Sequence, residues 1–184
     1  MKAAIVIVDM LHDFVKGALK CERAERIIPN LQKLIASARK NAIPVIYSND
    51  AHLKDIDGEF KLWGPHAIDG DLGAQVVEEL KPLATDFVVK KRRYSGFFET
   101  DLDLLLRELK VDTLILTGLH THLCVRHTAA DAYFRGFRLV VPEDAVEAFT
   151  KEDHESGLEY LKRNYGAEIT AVDSLLERLT RSLT

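Results

Sequence analysis

The chain has 184 residues, 47% of them hydrophobic and 29% charged, with a formal net charge of −4; this is the profile of one domain, residues 1–184, with a sizeable core, not of a disordered or fibrous chain. The acidic balance argues against nucleic acid as a partner, and no apolar run approaches the roughly 20 residues of a membrane span, so a membrane is not expected either. Only Cys21 and Cys124 occur, too few for a disulfide framework, and the apolar run before Asp9 is too short for a signal peptide, so a cytoplasmic location is the expectation.

Ala3–Val8 reads as a first strand that runs into Asp9. Ile27–Lys40 carries Ile27, Ile28, Leu31, Leu34, Ile35 and Ala38 on one helical stripe. Pro44–Tyr47 is a second strand, and the loop-like stretch Asp50–Asp71 that follows has the length of a functional loop. Leu72–Leu80 predicts a helix halted near Pro82. Phe87–Val89 is a third strand, and Asp101–Leu109 a helix with leucines on one face and Thr100 as its cap. Thr113–Leu116 is a fourth strand broken by Gly118, with a helix from Cys124 to about Arg135, capped by Thr121 and ended by Gly136. A fifth strand at Phe137–Val141, a helix at Glu152–Asn164, a sixth strand at Glu168–Thr170 and a helix at Val172–Leu179 complete the pattern. This alternation predicts an α/β fold, a three-layer α/β/α arrangement around a central, mostly parallel sheet of about six strands. Such sheets bind ligands at the carboxyl ends of their strands.

Three reactive residue types gather at those ends. Asp9 follows the first strand, Lys90 and Lys91 the third, and Cys124 the fourth. A cysteine that opens a helix meets unpaired N–H groups and a partial positive charge, which stabilise a thiolate; a free cysteine is equally a common core residue. A strand-end Asp often caps a loop and a strand-end Lys is often solvated. A nucleophile, a base and a cation on one rim together point to a site. Asp50-Ala51-His52 and the later His66 supply an Asp and two His, a donor set for Zn²⁺, Fe²⁺ or Mn²⁺ with open positions, or else hydrogen-bond donors with no metal. Arg92 and Arg93 read as a solvated pair in preference to a carboxylate clamp, Phe97 and Phe98 as ordinary packing, and Cys21 as structural or incidental.

Several segments carry a family pattern: Val8-Asp9-Met10-Leu11-His12-Asp13-Phe14, Lys91-Arg92-Arg93-Tyr94-Ser95-Gly96-Phe97, Gly118-Leu119-His120-Thr121-His122-Leu123-Cys124-Val125, Ala129-Ala130-Asp131-Ala132 and Asp144-Ala145. In order and spacing they resemble the isochorismatase-like cysteine hydrolases, which include nicotinamidases and N-carbamoylsarcosine amidases, over nearly the whole chain. The resemblance implies Cys124 as nucleophile, Asp9 as general base and Lys91 as their charged partner; Lys91 is preferred to Lys90 because it stands three residues before Tyr94. It implies a cis peptide at Leu119–His120 and an oxyanion hole formed by the N–H groups of His120 and Cys124. It further implies a divalent metal on Asp50, His52 and His66, no organic cofactor, and a substrate pocket walled by Phe14, Trp63, Tyr94 and Leu123. The implied activity is hydrolysis of the C–N bond of a small amide through a thioester, in a homo-oligomer. An isochorismatase-like vinyl-ether hydrolase and a catalytically idle binding module on the same fold are the alternatives. The chain departs from the pattern at Leu11, where Gln is usual, at His120, His122 and Leu123, and across Leu53–Leu62, where nicotinamidases often supply a further His.

Overall fold

The short runs of Val, Ile and Leu pair side by side in parallel, and the helices between them cover both faces of the resulting sheet. A computed structural model describes residues 2–181. Its strands are β1 (Ala3–Val8), β2 (Val45–Asp50), β3 (Phe87–Lys91), β4 (Thr113–Leu119), β5 (Arg138–Pro142), β6 (Val146–Glu147) and β7 (Glu168–Thr170). The helices are α1 (His12–Val15), α2 (Ile28–Lys40), α3 (Phe60–Trp63), α4 (Leu102–Glu108), α5 (Cys124–Phe134), α6 (Lys151–Tyr165) and α7 (Val172–Arg181). The strand order is β3-β2-β1-β4-β5-β7, with β6 beside the end of β4, and every pairing is parallel. The chain winds outward from β1 through β2 to β3, then returns to lay β4 on the other side of β1. The order therefore reverses between β1 and β4, which opens a crevice at their carboxyl ends.

Alternation along β1 divides the core. Ile5 and Ile7 join Leu31, Leu34 and Ile35 of α2 and Leu175 and Leu179 of α7 on one face. Ala4, Val6 and Val8 join Leu102 and Leu106 of α4, Val125 and Ala129 of α5 and Leu161 of α6 on the other. Strands sandwiched in this way are apolar throughout, and all six residues of β1 are buried. Gly118 lets β4 close against β1. It has φ +92°, and a Cβ there would stand 2.1 Å from the carbonyl oxygen of Val8. No helix among the described residues is long and apolar enough to cross a membrane.

The structure corrects several expectations. Leu72–Leu80 is not one helix but two 3₁₀ turns, Leu72–Ala74 and Glu78–Leu80. Between them Val76 bridges Leu11, the His12 N–H donates to Gln75 O and the Val77 N–H donates to Met10 O. Tertiary hydrogen bonds to the segment after β1 take the place of the helical ones. Strand β4 continues past Gly118 to Leu119, because β6, too short to read from sequence, gives its end a partner. Thr121 does not cap α5, whose N-cap residue is Leu123; its hydroxyl lies 3.0 Å from His154 Nδ1 on α6. Thr100 does accept a hydrogen bond from the Leu102 N–H at 3.3 Å.

Candidate active site

Parallel register carries side chains from four strands to one point. Asp50 and Lys91 are register partners at the ends of β2 and β3, and Asp9 is the first residue beyond β1. Side chains alternate along β3, so Lys91 turns inward and is 1% exposed, while Lys90 turns out to an ion pair with Asp69. Lys91 Nζ donates to Asp50 Oδ1 at 2.6 Å and forms an ion pair with Asp9 Oδ2 at 2.8 Å. The Asp50 N–H donates to Asp9 Oδ1 at 2.8 Å. Cys124, the first residue of α5, is 4% exposed, and its sulfur and the carboxylates of Asp9 and Asp50 lie within 4.8 Å of one another.

Two carboxylates share one ammonium here, and their proton affinities diverge. Burial, reinforced by Asp50, pushes the Asp9 carboxyl up to about 6 against the opposing pull of Lys91. Burial also pushes Asp50 up, but Lys91 and His52 outweigh it and hold that carboxyl below its ordinary value. The Lys91 ammonium loses water by burial, yet Asp50 and Asp9 hold its proton firmly. Burial raises the Cys124 thiol well above its ordinary value, with Lys91 opposing. The resting pair is therefore a thiol beside a carboxylate.

A second cluster adjoins the first. Asp50, His52, Glu59 and His66 each offer one atom, all within 4.8 Å of one another and all buried. His66 Nδ1 is 2.8 Å from the carbonyl of Gly64, which can only accept, so that nitrogen carries the proton and Nε2 is the ring's acceptor. His52 Nδ1 faces Asp57 Oδ2 at 3.1 Å, and its buried Nε2 has no hydrogen-bond partner. Burial, together with Asp50, pushes Glu59 up to about 7. Asp57 is itself gripped by Arg92 Nε at 2.8 Å and Arg93 Nη1 at 2.9 Å. Arg92 and Arg93 thus clamp a carboxylate and are not the solvated pair expected from sequence, because the long loop folds back over the end of β3.

Beside Cys124 a cavity of about 290 Å³, counted with its mouth, is lined by Phe14, Trp63, Tyr94, His120, Leu123 and Phe149 on one side and by Asp50, Glu59 and His66 on the other. All four expected pocket residues, Phe14, Trp63, Tyr94 and Leu123, are in that wall. Trp63 Nε1 donates to Tyr94 Oη at 3.0 Å, which fixes two of them together. The Leu119–His120 peptide is cis, and His120 and Cys124 follow the end of β4 as expected. Three contributors escaped the sequence reading: Asp57, Glu59 and Phe149. A search of the long loop for carboxylates as well as histidines would have found the first two; Phe149 follows β6 and carries no local signal. Cys21 lies apart from the site, its thiol donating to Ala148 O at 3.2 Å. Phe97 is core, whereas Phe98 is 54% exposed and so does not pack as expected.

A family model described as Isochorismatase domain matches residues 3–174. The N-carbamoylsarcosine amidase of Thermoplasma acidophilum is 42% identical, with 94% of this chain and 98% of that one covered and a TM-score of 0.88. Nicotinamidase PncA from Bacillus subtilis is 37% identical, with 92% and 99% covered and a TM-score of 0.88. The pyrazinamidase of Pyrococcus horikoshii, solved in complex with zinc, is 30% identical, with 93% and 99% covered and a TM-score of 0.86. The chain belongs to the isochorismatase family of hydrolases.

Proposed function

We propose that this family member is a cysteine-dependent amidohydrolase that cleaves the C–N bond of a small amide, in the manner of nicotinamidases. The observation that carries the reading is that Cys124 lines a small, mostly aromatic cavity while Asp9, paired with Lys91, lies within 4.8 Å of its sulfur. In the resting site the proton is on the Cys124 sulfur. Asp9, with a carboxyl near 6, holds a proton more tightly than a solvated carboxylate does, which suits a general base at neutral pH. Asp9 takes the thiol proton as the sulfur attacks the carbonyl carbon. The N–H groups of His120 and Cys124 receive the oxyanion. Asp9 then gives its proton to the leaving nitrogen, the C–N bond breaks, and the amine departs from a thioester. Water attacks that thioester and passes a proton to Asp9. The C–S bond breaks, the acid leaves, and the proton on Asp9 returns to the sulfur. Throughout, Lys91 keeps a positive charge against Asp9 and Asp50, so neither burial nor proton transfer strands two carboxylates alone.

The neighbouring cluster fits a divalent metal, since it pairs two imidazoles with two carboxylates and leaves the buried Nε2 of His52 without another partner. Asp50, His52, Glu59 and His66 would hold it. An ion bound there would act as a Lewis acid and template for a substrate heteroatom. Similarity to a pyrazinamidase solved with zinc supports the same assignment. Cleavage of a vinyl ether would not call on the thiol beside Asp9, which favours the amide over that alternative.

Ammonia release from nicotinamide, pyrazinamide and N-carbamoylsarcosine, with Cys124→Ala as control, tests the reading. Release from at least one amide, abolished in Cys124→Ala, is expected. Full activity in that variant would refute the mechanism. No release from any amide, with a thiol that resists alkylation, would favour a binding module.

A further inference from the structure

Resting on the amidohydrolase reading, we propose that the imidazole of His120 is a specificity group that recognises a second hydrogen-bonding atom on a flat, uncharged amide substrate. Among the described residues that line the cavity, His120 alone has a buried side-chain nitrogen, Nε2, without a hydrogen-bond partner. The residue is 2% exposed, so water from bulk does not meet this need. Buried polar groups in folded proteins are almost always paired, and one left open beside a cavity calls for a partner that arrives with the ligand. The ring is also held still. It stacks on Phe149 at 4.0 Å between centroids and meets Phe14 edge-on at 5.6 Å. A fixed ring presents its nitrogen in one direction, as a recognition group must.

The same walls define the ligand's shape and charge. Phe14, Trp63, Tyr94 and Phe149 give the cavity flat aromatic walls, with Trp63 stacked on Phe149 at 6.1 Å, and such walls suit a planar guest. Apart from Asp50, Glu59 and His66, which belong to the metal-type cluster, the lining carries no acidic residue, lysine or arginine. Lys91 lies behind Asp50 and is already held between two carboxylates. The imidazole itself is neutral at physiological pH, since burial and then His122 draw it down to about 3. A neutral imidazole offers one donor and one acceptor nitrogen, which suits an uncharged ring heteroatom or amino group and gives no ion pair to a carboxylate.

Binding to the Cys124→Ala protein separates recognition from turnover, and Trp63, the chain's single tryptophan, reports it by fluorescence. The probes are nicotinamide, pyrazinamide with its extra ring acceptor, and 2-aminonicotinamide with its extra donor. At least one added atom is expected to tighten binding by about fivefold to 150-fold, the range for satisfying a buried polar group. Adding His120→Phe, which keeps an aromatic ring but no nitrogen, should bring that ratio to within about twofold of unity. His120→Asn should restore part of it. If His120→Phe does not fold by circular dichroism, His120→Leu takes its place. An unchanged ratio in the substituted protein, or no gain from either added atom, overturns the inference. N-carbamoylsarcosine, which carries a carboxylate, should bind more weakly than the best ring amide; equal or tighter binding overturns the uncharged class. Loss of hydrolysis in the Cys124-intact protein with the binding ratio preserved would count against the amidohydrolase reading alone.

Discussion

Replacing Lys91 by Met tests the electrostatic centre of the site most directly. Methionine is unbranched and of similar length, so the change removes the ammonium while keeping much of the packing. Lys91 is fully buried and lies 2.8 Å from Asp9 Oδ2 and 2.6 Å from Asp50 Oδ1. Without it, two buried carboxylates face one another with no cation between them. Removing one partner from a buried ion pair costs about 3–5 kcal/mol, most of it the exposed need of the charge left behind. For a chain of this size that corresponds to a fall in Tm of about 6–20 °C. The loss should depend on pH with a definite sign. Asp9 already titrates near 6 in the folded protein because burial and Asp50 outweigh Lys91; removing the lysine pushes it higher. An unfolded aspartate titrates at about 3.9, so between that value and the raised folded one the native variant holds a proton that the unfolded chain has released. Its stability therefore falls as pH rises through this window. Urea unfolding of metal-free wild type and Lys91→Met at pH 5 and pH 8 measures both terms. A loss below ~1 kcal/mol at pH 8, or one equal at the two pH values, would show that Lys91 does not neutralise this pair.

Two further outcomes follow from the same geometry. Since Asp9 must be ionised to accept the thiol proton and its carboxyl lies near 6, kcat/KM should fall as pH drops through about 6; a profile flat between pH 5 and 7 argues against Asp9 as the base. Asp57 faces His52 Nδ1 at 3.1 Å and so leaves Nε2 turned to the cluster, which means Asp57→Asn should weaken zinc binding by about 10–100-fold, the usual effect of losing such a partner. Competition with a chromophoric chelator reads that constant without any substrate, and an unaltered affinity rejects the role.

Strand and helix types were largely legible because burial on both faces of a parallel sheet leaves a strong local trace. The stripe from Ile27 to Ala38 carries a helical period, and the run Ala3–Val8 is short, apolar throughout and rich in Ile and Val, the mark of a strand buried on both faces. The segment Leu72–Leu80 carried a helical composition, yet it forms two short turns, since its backbone groups bond to Met10 and His12 across the fold. Propensity is local, and a partner distant in sequence overrides it. The site divides in the same way. Asp9, Lys91 and Cys124 stand at strand ends or at the helix after one, where chain order alone predicts proximity. Asp57, Glu59 and Phe149 do not.

What the sequence determined by itself was most of the elements and the rim on which the reactive residues meet, because each follows from a short pattern and from chain connectivity; the choice of Lys91 over Lys90 came from the resemblance, through its spacing to Tyr94. What only the tertiary structure decided was everything that depends on loops closing over that rim. The stretch after β2 folds back so that Glu59 joins Asp50, His52 and His66 and so that Arg92 and Arg93 grip Asp57. Phe149 arrives from beyond β6 to stack on His120. Loop conformations carry no repeating pattern along the chain and are selected by the packing and hydrogen bonds they make once the sheet exists, so the chemistry of the strand ends was readable in advance and the shape of the pocket around them was not.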